Sequence, residues 1–328
     1  MKKNDLLKNE IKNSFSSDLL GILEDIVINE SEVFVTLKAS NSEEANKLDF
    51  LKKECEKKIK ELFDFEKINV TFTLVKKKFK NIIAVSSCKG GVGKSTVSSN
   101  LSLALKKIDK KVGLFDADIY GPSIPKMFGL NKKPIMNASK KIEPLTYKDI
   151  EIISIGLMID ETKPIIWRGP MIQTAITQLI NEVNWSDLDY LIVDMPPGTG
   201  DTHLTLMQKL QINHSIIVTT PQEVSLADTR KGINMFKKLG VPITGILENM
   251  SYYVCNNCKE KHYLFGKNGA ETLAKEFSVE VLGKIPILKE ISHNSDEGQP
   301  LKYDNNNTIE EIFGSIALKI LNLSKRIH

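Results

Sequence analysis

The residues that decide the fold of this chain are Ile82-Ile83-Ala84-Val85-Ser86-Ser87-Cys88-Lys89-Gly90-Gly91-Val92-Gly93-Lys94-Ser95-Thr96 (82–96). The stretch begins as a short apolar run, which is typical of a strand that is buried on both faces of a parallel sheet. A glycine-rich segment follows, and a helical spacing of apolar residues then continues to about Ile108. This order of strand, glycine-rich loop and helix predicts a P-loop, in which backbone N–H groups and the helix N-terminus bind phosphates.

Each residue type in this loop has a predicted role in binding a nucleoside triphosphate. Lys94 is predicted to reach the β- and γ-phosphates of ATP, and Ser95 to hold Mg²⁺ through its hydroxyl. The generic pattern begins with Gly where Cys88 stands here. We interpret Cys88 as a small side chain buried at the strand end rather than as a redox or cluster ligand. The predicted nucleotide-binding residues of the loop are Gly90, Gly91, Val92, Gly93, Lys94, Ser95 and Thr96.

The rest of the chain predicts two domains. From residue 81 onward, short apolar runs at 82–85, 112–115, 190–193, 215–218 and 243–247 alternate with helical patterns. This alternation predicts an α/β fold, a parallel-sheet P-loop domain over 81–328. Residues 1–75 instead combine helical patterns at 5–15 and 46–62 with alternating strands at 32–37 and 69–74, which predicts a small α+β domain. The basic segment 76–80 is the predicted linker.

Composition excludes several classes of protein. The 328 residues carry a net charge of only +4, which gives no indication of a nucleic-acid partner. No apolar run approaches the roughly 18 residues of a membrane span, so we expect a cytoplasmic protein with no membrane partner. Because the cytosol is reducing, its cysteines are more consistent with metal binding or catalysis than with disulfides. The four cysteines are Cys55, Cys88, Cys255 and Cys258.

Polar residues follow three further predicted strands. Asp116 and Asp118 follow one strand, Asp194 follows another, and Asn249 ends a third. We predict that Asp194 and Asp116 contribute to the Mg²⁺ site and that Asp118 orients the attacking water. The alternative for Asp116 is capping of a helix. Asn249 is a candidate for the adenine edge, with turn formation as its alternative.

A C-x-x-C pair, Cys255 and Cys258, lies just beyond the strand that ends at Asn249. This spacing allows two thiolates to face one metal, but one pair supplies only half of a four-thiolate site. A homodimer would unite two pairs around one iron–sulfur cluster. Alternatively, His262 would complete a zinc site within one chain, or the pair would be a redox or structural element. We favour the shared cluster and interpret His262 as a surface residue.

The loop with Lys89 resembles the deviant P-loop of the MinD, ParA, ArsA and nitrogenase iron-protein superfamily. The resemblance implies an ATP-closed homodimer in which Lys89 contacts the nucleotide of the other subunit; such a second cation would act in catalysis beside Lys94 and Asp118. The whole of residues 81–300 resembles the Mrp/ApbC family of iron–sulfur carrier ATPases. Its matching stretches are 88–96, 116–123, Trp167-Arg168-Gly169-Pro170-Met171, 194–201, Thr220-Pro221-Gln222 and 248–251 with the following Cys pair.

This family resemblance implies ATP hydrolysis, a [4Fe–4S] cluster at the dimer interface, and transfer to apo iron–sulfur proteins from cluster donors. Residues 1–75 resemble an assembly-type domain, but its usual Asp-Pro-Glu signature is absent and we assign this domain no ligand. The main alternative is a MinD/ParA-like positioning ATPase that uses the amphipathic stretch 309–327 on a membrane; we expect that stretch to pack on the sheet instead. A nitrogenase-like reductase is disfavoured because 116–123 and 194–201 contain no Cys.

Overall fold

The structure, a computed structural model, describes residues 2–29, 31–39, 42–74, 79–158, 169–300 and 308–327. The chain divides into two compact units, residues 1–77 and 78–328. Phe79 and Lys80, which the sequence assigned to the linker, instead begin the first strand of the second unit. The rest of that basic segment, and the predicted Trp167 and Arg168, lie outside the described residues.

The first unit is a three-stranded sheet with helices. Strand β1 is antiparallel to β2, and β2 is parallel to β3. Its elements are α1 (Lys2–Asn13), α2 (Ser17–Ile22), β1 (Leu23–Asn29), β2 (Glu32–Ala39), α3 (Ser42–Lys47), α4 (Asp49–Leu62) and β3 (Lys67–Leu74). The helix predicted over 46–62 is divided between α3 and α4, with Leu48 between them.

The core of this unit follows directly from its sequence periodicities. Val33, Val35 and Leu37 alternate along β2 and are fully buried. Helix α4 adds Cys55 and Ile59, which are four residues apart and therefore share one face of the helix. Burial raises the pKa of the Cys55 thiol to about 12. Cys55 therefore packs in the core of this unit, and the cluster of metal-binding donors found among the described residues does not include it.

The second unit holds an eight-stranded sheet with the order β13-β10-β9-β4-β8-β5-β7-β6. The first part of this unit comprises β4 (Phe79–Ser86), α5 (Lys94–Lys107), β5 (Val112–Asp116), α6 (Ile124–Met127), β6 (Leu145–Tyr147), β7 (Ile150–Ser154), a 3₁₀ turn (Ile155–Met158), α7 (Gly169–Glu182) and β8 (Leu188–Asp194). The remainder comprises α8 (Asp201–Lys209), β9 (His214–Thr219), α9 (Glu223–Lys238), β10 (Ile243–Glu248), β11 (Tyr253–Val254), β12 (Lys261–His262), α10 (Gly269–Phe277), β13 (Val281–Lys284), α11 (Lys289–Asp296) and α12 (Thr308–Ile327).

This arrangement confirms the predicted α/β class with a mostly parallel central sheet. The edge strand β6 alone pairs antiparallel, with β7, among the strands described in the sheet. Successive residues of β4 pack on opposite faces: Ile83 and Val85 belong to one buried cluster, and Ile82 and Ala84 to another. Because helices cover both faces, these strands are apolar at every position rather than at alternate ones.

The topology brings the polar strand ends together. Strands β10, β9, β4, β8 and β5 are consecutive neighbours and run parallel. The carboxyl ends of parallel strands meet at one edge of a sheet, where ligands bind in folds of this kind. The P-loop, Asp116, Asp194 and Asn249 therefore lie along the same edge.

Helix α12 packs on the sheet, as the sequence analysis expected. Phe313, Ile316, Ala317 and Ile320 are buried in the cluster that also contains residues of β4 and α5. Among the described residues, none of the helices combines the length and apolar character that crossing a membrane requires.

Candidate functional site

The P-loop conformation depends on two glycines. Gly91 has φ +77° and Gly93 has φ +86°, a left-handed region that other residues rarely adopt. Gly93 immediately precedes α5, and its carbonyl accepts from Val97 N at 3.0 Å, which starts the helix. The loop thus presents its backbone at the N-terminus of α5, where anions are stabilised.

Lys94 lies buried beneath this loop, with its ammonium group facing two carboxylates. Nζ is 2.9 Å from Asp194 Oδ2 and 3.4 Å from Asp118 Oδ2. Burial alone would lower the pKa of Lys94, but the negative charges of Asp194 and Asp118 outweigh it and raise this pKa above its ordinary value. Lys94 is therefore a permanent cation at the base of the loop.

Asp194, at the end of β8, connects the acidic strand ends to α5. Its Oδ2 accepts from Ser95 Oγ at 2.6 Å, and its Oδ1 accepts from Ser98 Oγ at 2.7 Å. The neighbouring strand end, Asp116, is its register partner across β5 and β8. A hydroxyl and carboxylates so close together are hard oxygen donors, so the residues present fit Mg²⁺.

Asp116 is fully buried and accepts hydrogen bonds from Ser154 Oγ at 2.9 Å and from Asp118 N at 3.1 Å. Burial and the nearby Asp194 charge raise the pKa of Asp116 well above its usual range. Its Oδ2 also accepts from Ile124 N, at the start of α6, at 3.3 Å. The carboxylate therefore contacts a helix N-terminus, as the capping alternative predicted, and it also lies beside Asp194, the other acid predicted for the Mg²⁺ site.

A cavity of about 970 Å³ opens above the P-loop. Its lining includes P-loop residues, Asp118 and Asn249, together with an apolar surface. The apolar surface comprises Leu264, Phe265, Pro286, Ile287 and Leu288. A phosphate-binding floor with an apolar wall is the arrangement that a nucleotide requires.

Asn249 contacts the P-loop directly. Its Nδ2 donates to the carbonyl oxygen of Val92 at 2.8 Å, and its backbone N donates to Thr219 O at 2.8 Å. Gly93 packs so closely against this amide that a Cβ at position 93 would collide with it. The Asn249 side chain thus supports the loop and lines the cavity, where the adenine contact remains a prediction.

Lys89 and Cys88 have different environments in the same loop. Lys89 is half-buried, and its carbonyl oxygen accepts from Ser87 Oγ at 2.9 Å. The Cys88 thiol packs on Gly232 of α9. Burial raises the pKa of Cys88 to about 11, and the packing of the thiol agrees with its interpretation as a small, buried side chain at the strand end.

The Cys pair lies on a small hairpin, residues 253–262, which we call the cysteine hairpin. Strands β11 and β12 pair antiparallel, with Tyr253 opposite His262. Donor atoms of Cys255, Cys258 and His262 all lie within 4.8 Å of one another. Hydrogen bonds from the backbone N–H groups of Cys258 and Asn257 lower the pKa of Cys255, which favours its thiolate. His262 is exposed, as predicted, but it also faces the two thiols.

Glu248 holds both ends of the segment that contains the cysteine hairpin. It is fully buried at the end of β10, and its carboxylate accepts from Ser251 Oγ at 2.5 Å and from Ala270 N at 2.7 Å. Ser251 precedes the hairpin and Ala270 follows it. The segment between them supplies Leu264 and Phe265 to the cavity wall, so the cysteine hairpin and the cavity share one loop.

Sequence reasoning missed His203, which is buried in α8. Its Nε2 lies 3.3 Å from Ser86 Oγ, at the end of the strand that enters the P-loop. Burial, and to a smaller extent the charge of Lys94, lower the pKa of His203 to about 4. Its position two residues after Asp201 in the glycine-rich stretch 194–201 was the available signal, since that stretch was expected to lie near the nucleotide.

The fold and this site define a P-loop NTPase of the MinD/ParA type. A MinD cell-division ATPase of Pyrococcus furiosus shares the fold at 22% identity, with a TM-score of 0.56, over 74% of this chain and 99% of its own. At 40% identity, a nucleotide-binding protein of Archaeoglobus fulgidus in complex with ADP has a TM-score of 0.62 over 70% of this chain and 90% of its own.

Comparison of the sequence with protein families and with individual relatives assigns the chain to one family within this fold. The sequence model of the ParA family that is described as NUBPL iron-transfer P-loop NTPase matches residues 78–321. An iron–sulfur cluster carrier protein of Pseudomonas fragi is 46% identical over 242 residues, which are 73% of this chain and 84% of that protein. The iron–sulfur cluster transfer protein NUBPL of Dictyostelium discoideum is 47% identical over 224 residues, 68% of this chain and 69% of its own. The chain belongs to this family of iron-transfer P-loop NTPases.

Proposed function

We propose that this protein binds and hydrolyses ATP and carries a [4Fe–4S] cluster, which it holds as a homodimer and transfers to apo iron–sulfur proteins. The observation that carries the proposal is the position of Cys255 and Cys258. Their thiols lie close together on a loop that also contributes to the wall of the nucleotide cavity. Nucleotide binding and cluster binding therefore act on the same segment of chain.

The ligand count supports a dimeric cluster site. A [4Fe–4S] cluster takes four thiolates. The chain has a single C-x-x-C, Cys55 is a core residue, and the Cys88 thiol packs on Gly232 of α9. Two copies of the cysteine hairpin supply four thiolates. The positive charge of Lys259 lowers the pKa of Cys255 further and would offset the negative charge of a thiolate-bound cluster.

In the proposed nucleotide chemistry, Lys94 contacts the β- and γ-phosphates from below the loop. Ser95, Asp116 and Asp194 would hold Mg²⁺, which would offset the negative charge of the phosphates. Asp118 orients the water whose oxygen bonds to the γ-phosphorus while the bond between the γ-phosphorus and the bridging oxygen breaks. ADP leaves with the bridging oxygen, and the proton of the water leaves with the phosphate or passes to solvent. Oδ1 of Asp118 accepts a hydrogen bond from Gly121 N at 3.3 Å, which fixes the direction of this carboxylate.

Two further contacts complete the proposed ATP site. Lys89 of the partner subunit adds a second cation at the phosphates, where negative charge develops during transfer. Asn249 contacts adenine while its amide stays bonded to the Val92 carbonyl, because an amide side chain offers both a donor group and an acceptor. The partners we propose are a second copy, cluster donors and apo iron–sulfur proteins, all in the cytoplasm, with no nucleic acid or membrane.

A positioning ATPase is the alternative that the MinD-like fold raises. Membrane binding by such a protein would require an amphipathic helix whose apolar face is free. In α12 that face is buried against the sheet and α5. This packing favours the carrier over the alternative.

The test is anaerobic reconstitution of the full chain with iron and sulfide, on wild type beside the Cys255→Ala/Cys258→Ala double variant. Visible absorption, iron and sulfide content and particle mass are the readouts. We expect one cluster per dimer in wild type and none in the double variant, with nucleotide binding retained in both. A double variant that keeps stoichiometric iron and sulfide would show that other residues are the ligands.

A further inference from the structure

The cysteine hairpin carries three metal-binding donors rather than two. Cys258 Sγ lies 3.9 Å from His262 Nε2, and the donor atoms of Cys255, Cys258 and His262 are mutually within 4.8 Å. The usual Zn–S and Zn–N bond lengths and tetrahedral angles place thiolate and imidazole donors roughly 3.5–3.8 Å apart around one Zn²⁺. A small inward movement of the side chains therefore brings all three donors onto one ion.

Backbone pairing within one chain fixes this arrangement. The Tyr253–His262 pair places His262 opposite the strand that leads into Cys255, and Cys255 N donates to Glu260 O at 3.0 Å to continue the ladder. Lys259, at φ +60°, closes the turn and donates from its N to Cys255 O at 2.9 Å. None of these contacts requires a second subunit.

We propose that each chain, as a monomer, binds one transition metal ion through Cys255, Cys258 and His262, with the fourth position open. Thiolate and imidazole donors select ions such as Zn²⁺, Co²⁺ and Fe²⁺. The inference rests on the proposed function in one respect: the same two thiols serve the dimeric cluster. The single-ion site of the monomer and the cluster site of the dimer therefore compete for Cys255 and Cys258, and His262 belongs to the first site alone.

The test titrates Co²⁺ into the reduced, metal-free full chain, followed by Zn²⁺ competition and particle mass. Wild type is expected to bind one Co²⁺ per monomer with a tetrahedral thiolate spectrum. In His262→Ala, affinity should fall at least about 100-fold, since residues that merely support a ligand already change it roughly 10- to 100-fold. His293→Ala, which removes another exposed histidine from α11, is the matched control and should bind as wild type does. His262→Cys should restore tight binding with stronger thiolate-to-cobalt absorption.

Two results would overturn the proposal: unchanged Co²⁺ affinity in His262→Ala, or one Co²⁺ per two chains with a four-thiolate spectrum. Iron–sulfur reconstitution of the same variants separates this inference from the proposed function. A cluster that forms in His262→Ala while Co²⁺ affinity is lost supports both. Intact Co²⁺ binding in a wild type that forms no cluster supports the single-ion site and removes the carrier function.

Discussion

Lys94 lies among more negative charge than it can balance. Asp118 and Asp194 contact its ammonium group, and Asp116 is the register partner of Asp194. Three buried carboxyl groups around one cation leave a site that attracts a further cation, such as the Mg²⁺ that we propose. Burial, and after it the charge of Asp194, raises the pKa of Asp116 to about 8, so this carboxyl carries part of the same electrostatic cost.

Lys94→Ala should remove ATPase activity and lower the stability of the nucleotide-free protein. Truncating one partner of a buried ion pair typically destabilises a protein by about 3–5 kcal/mol, because the other charge stays buried without compensation. Turnover should fall at least about 100-fold, as when one electrostatic contact to a transition state is lost. Thermal unfolding with and without Mg²⁺ checks the first effect, and phosphate release checks the second. Wild-type turnover would exclude Lys94 from the phosphate contact.

His203 should make stability depend on pH in a definite direction. Burial and the charge of Lys94 lower its pKa to about 4, whereas in the unfolded chain it titrates near its ordinary value of 6.5. Between these values the unfolded chain binds more protons, so the contribution of His203 is fully present above about pH 6.5 and is lost as the pH falls toward 4. One such group changes the unfolding free energy by up to about 1.4 kcal/mol per pH unit.

The measurement is the urea-unfolding free energy of wild type and His203→Gln at about pH 7 and about pH 5. Gln keeps a polar group near Ser86 Oγ but does not titrate. The His203→Gln variant should therefore lose less stability on acidification than wild type does. His293→Gln, an exposed histidine paired with Glu297, controls for histidine number. Equal pH dependence in wild type and His203→Gln would contradict a buried neutral imidazole.

Single residues differ in how far sequence alone could predict them. The glycines, Lys94 and Ser95 follow from the P-loop pattern, because the chemistry requires those residue types at that spacing. The contact between Asn249 and the Val92 carbonyl joins residues that are distant in sequence, and only the folded chain brings them together. The approach of His262 to the thiols depends on the register of a hairpin with two-residue strands, which is too short for a pattern to be recognised.

At the scale of elements, the P-loop and α9 fit each other through Cys88 and Gly232. The thiol occupies the space that a side chain at 232 would need. A generic P-loop has Gly in place of Cys88 and would leave this space free. The presence of Gly within α9, where it lowers helix propensity, is thus explained by the thiol packed against it.

Gly232→Ala should therefore destabilise the protein by about 1–3 kcal/mol, the usual effect of overpacking. Gly314→Ala is the matched control: Gly314 also lies within a helix, α12, but a Cβ there meets nothing within 4 Å. That control should be stabilised by about 0.4–1 kcal/mol. Adding Cys88→Gly to Gly232→Ala should recover most of the loss, as chemical denaturation would measure. Additive effects of the two substitutions would show that the two residues do not interact.

Buried strands were predictable as elements because both faces of the sheet are covered and their sequences are continuously apolar. Runs such as 190–193 and 215–218 fall inside β8 and β9. The edge strand β6 carries a weaker signal, since the half-buried Leu145–Tyr147 resembles a loop. Strands β11 and β12 have mostly exposed side chains and are held by turn hydrogen bonds rather than by burial. Their sequences therefore contain no apolar periodicity from which the strands could be predicted.

At the scale of the whole molecule, the cysteine hairpin of one chain supplies two of the four thiolates that the proposed [4Fe–4S] cluster takes. Each chain contributes two thiols on a loop shared with its own nucleotide cavity, and Lys89 on the P-loop is predicted to reach the other subunit. In the dimer that we propose, ATP draws together two chains whose cysteine hairpins then lie across one axis. A closed twofold arrangement gives each hairpin the same environment, as isologous interfaces do.

Mixed dimers test this arrangement directly. Wild-type chains and Cys255→Ala/Cys258→Ala chains, each with a different affinity tag, can be produced together and the mixed dimer isolated by both tags. A mixed dimer has only two of the four thiolates, so a shared cluster should not form in it, and its iron and sulfide content should fall close to zero. The reference is a dimer of two differently tagged wild-type chains. If instead each chain bound its own cluster, the mixed dimer would retain about half of the reference iron and sulfide, because one chain would still be complete. Half occupancy would therefore exclude the twofold cluster site, whereas near-zero occupancy together with intact nucleotide binding requires the two hairpins to act on one cluster.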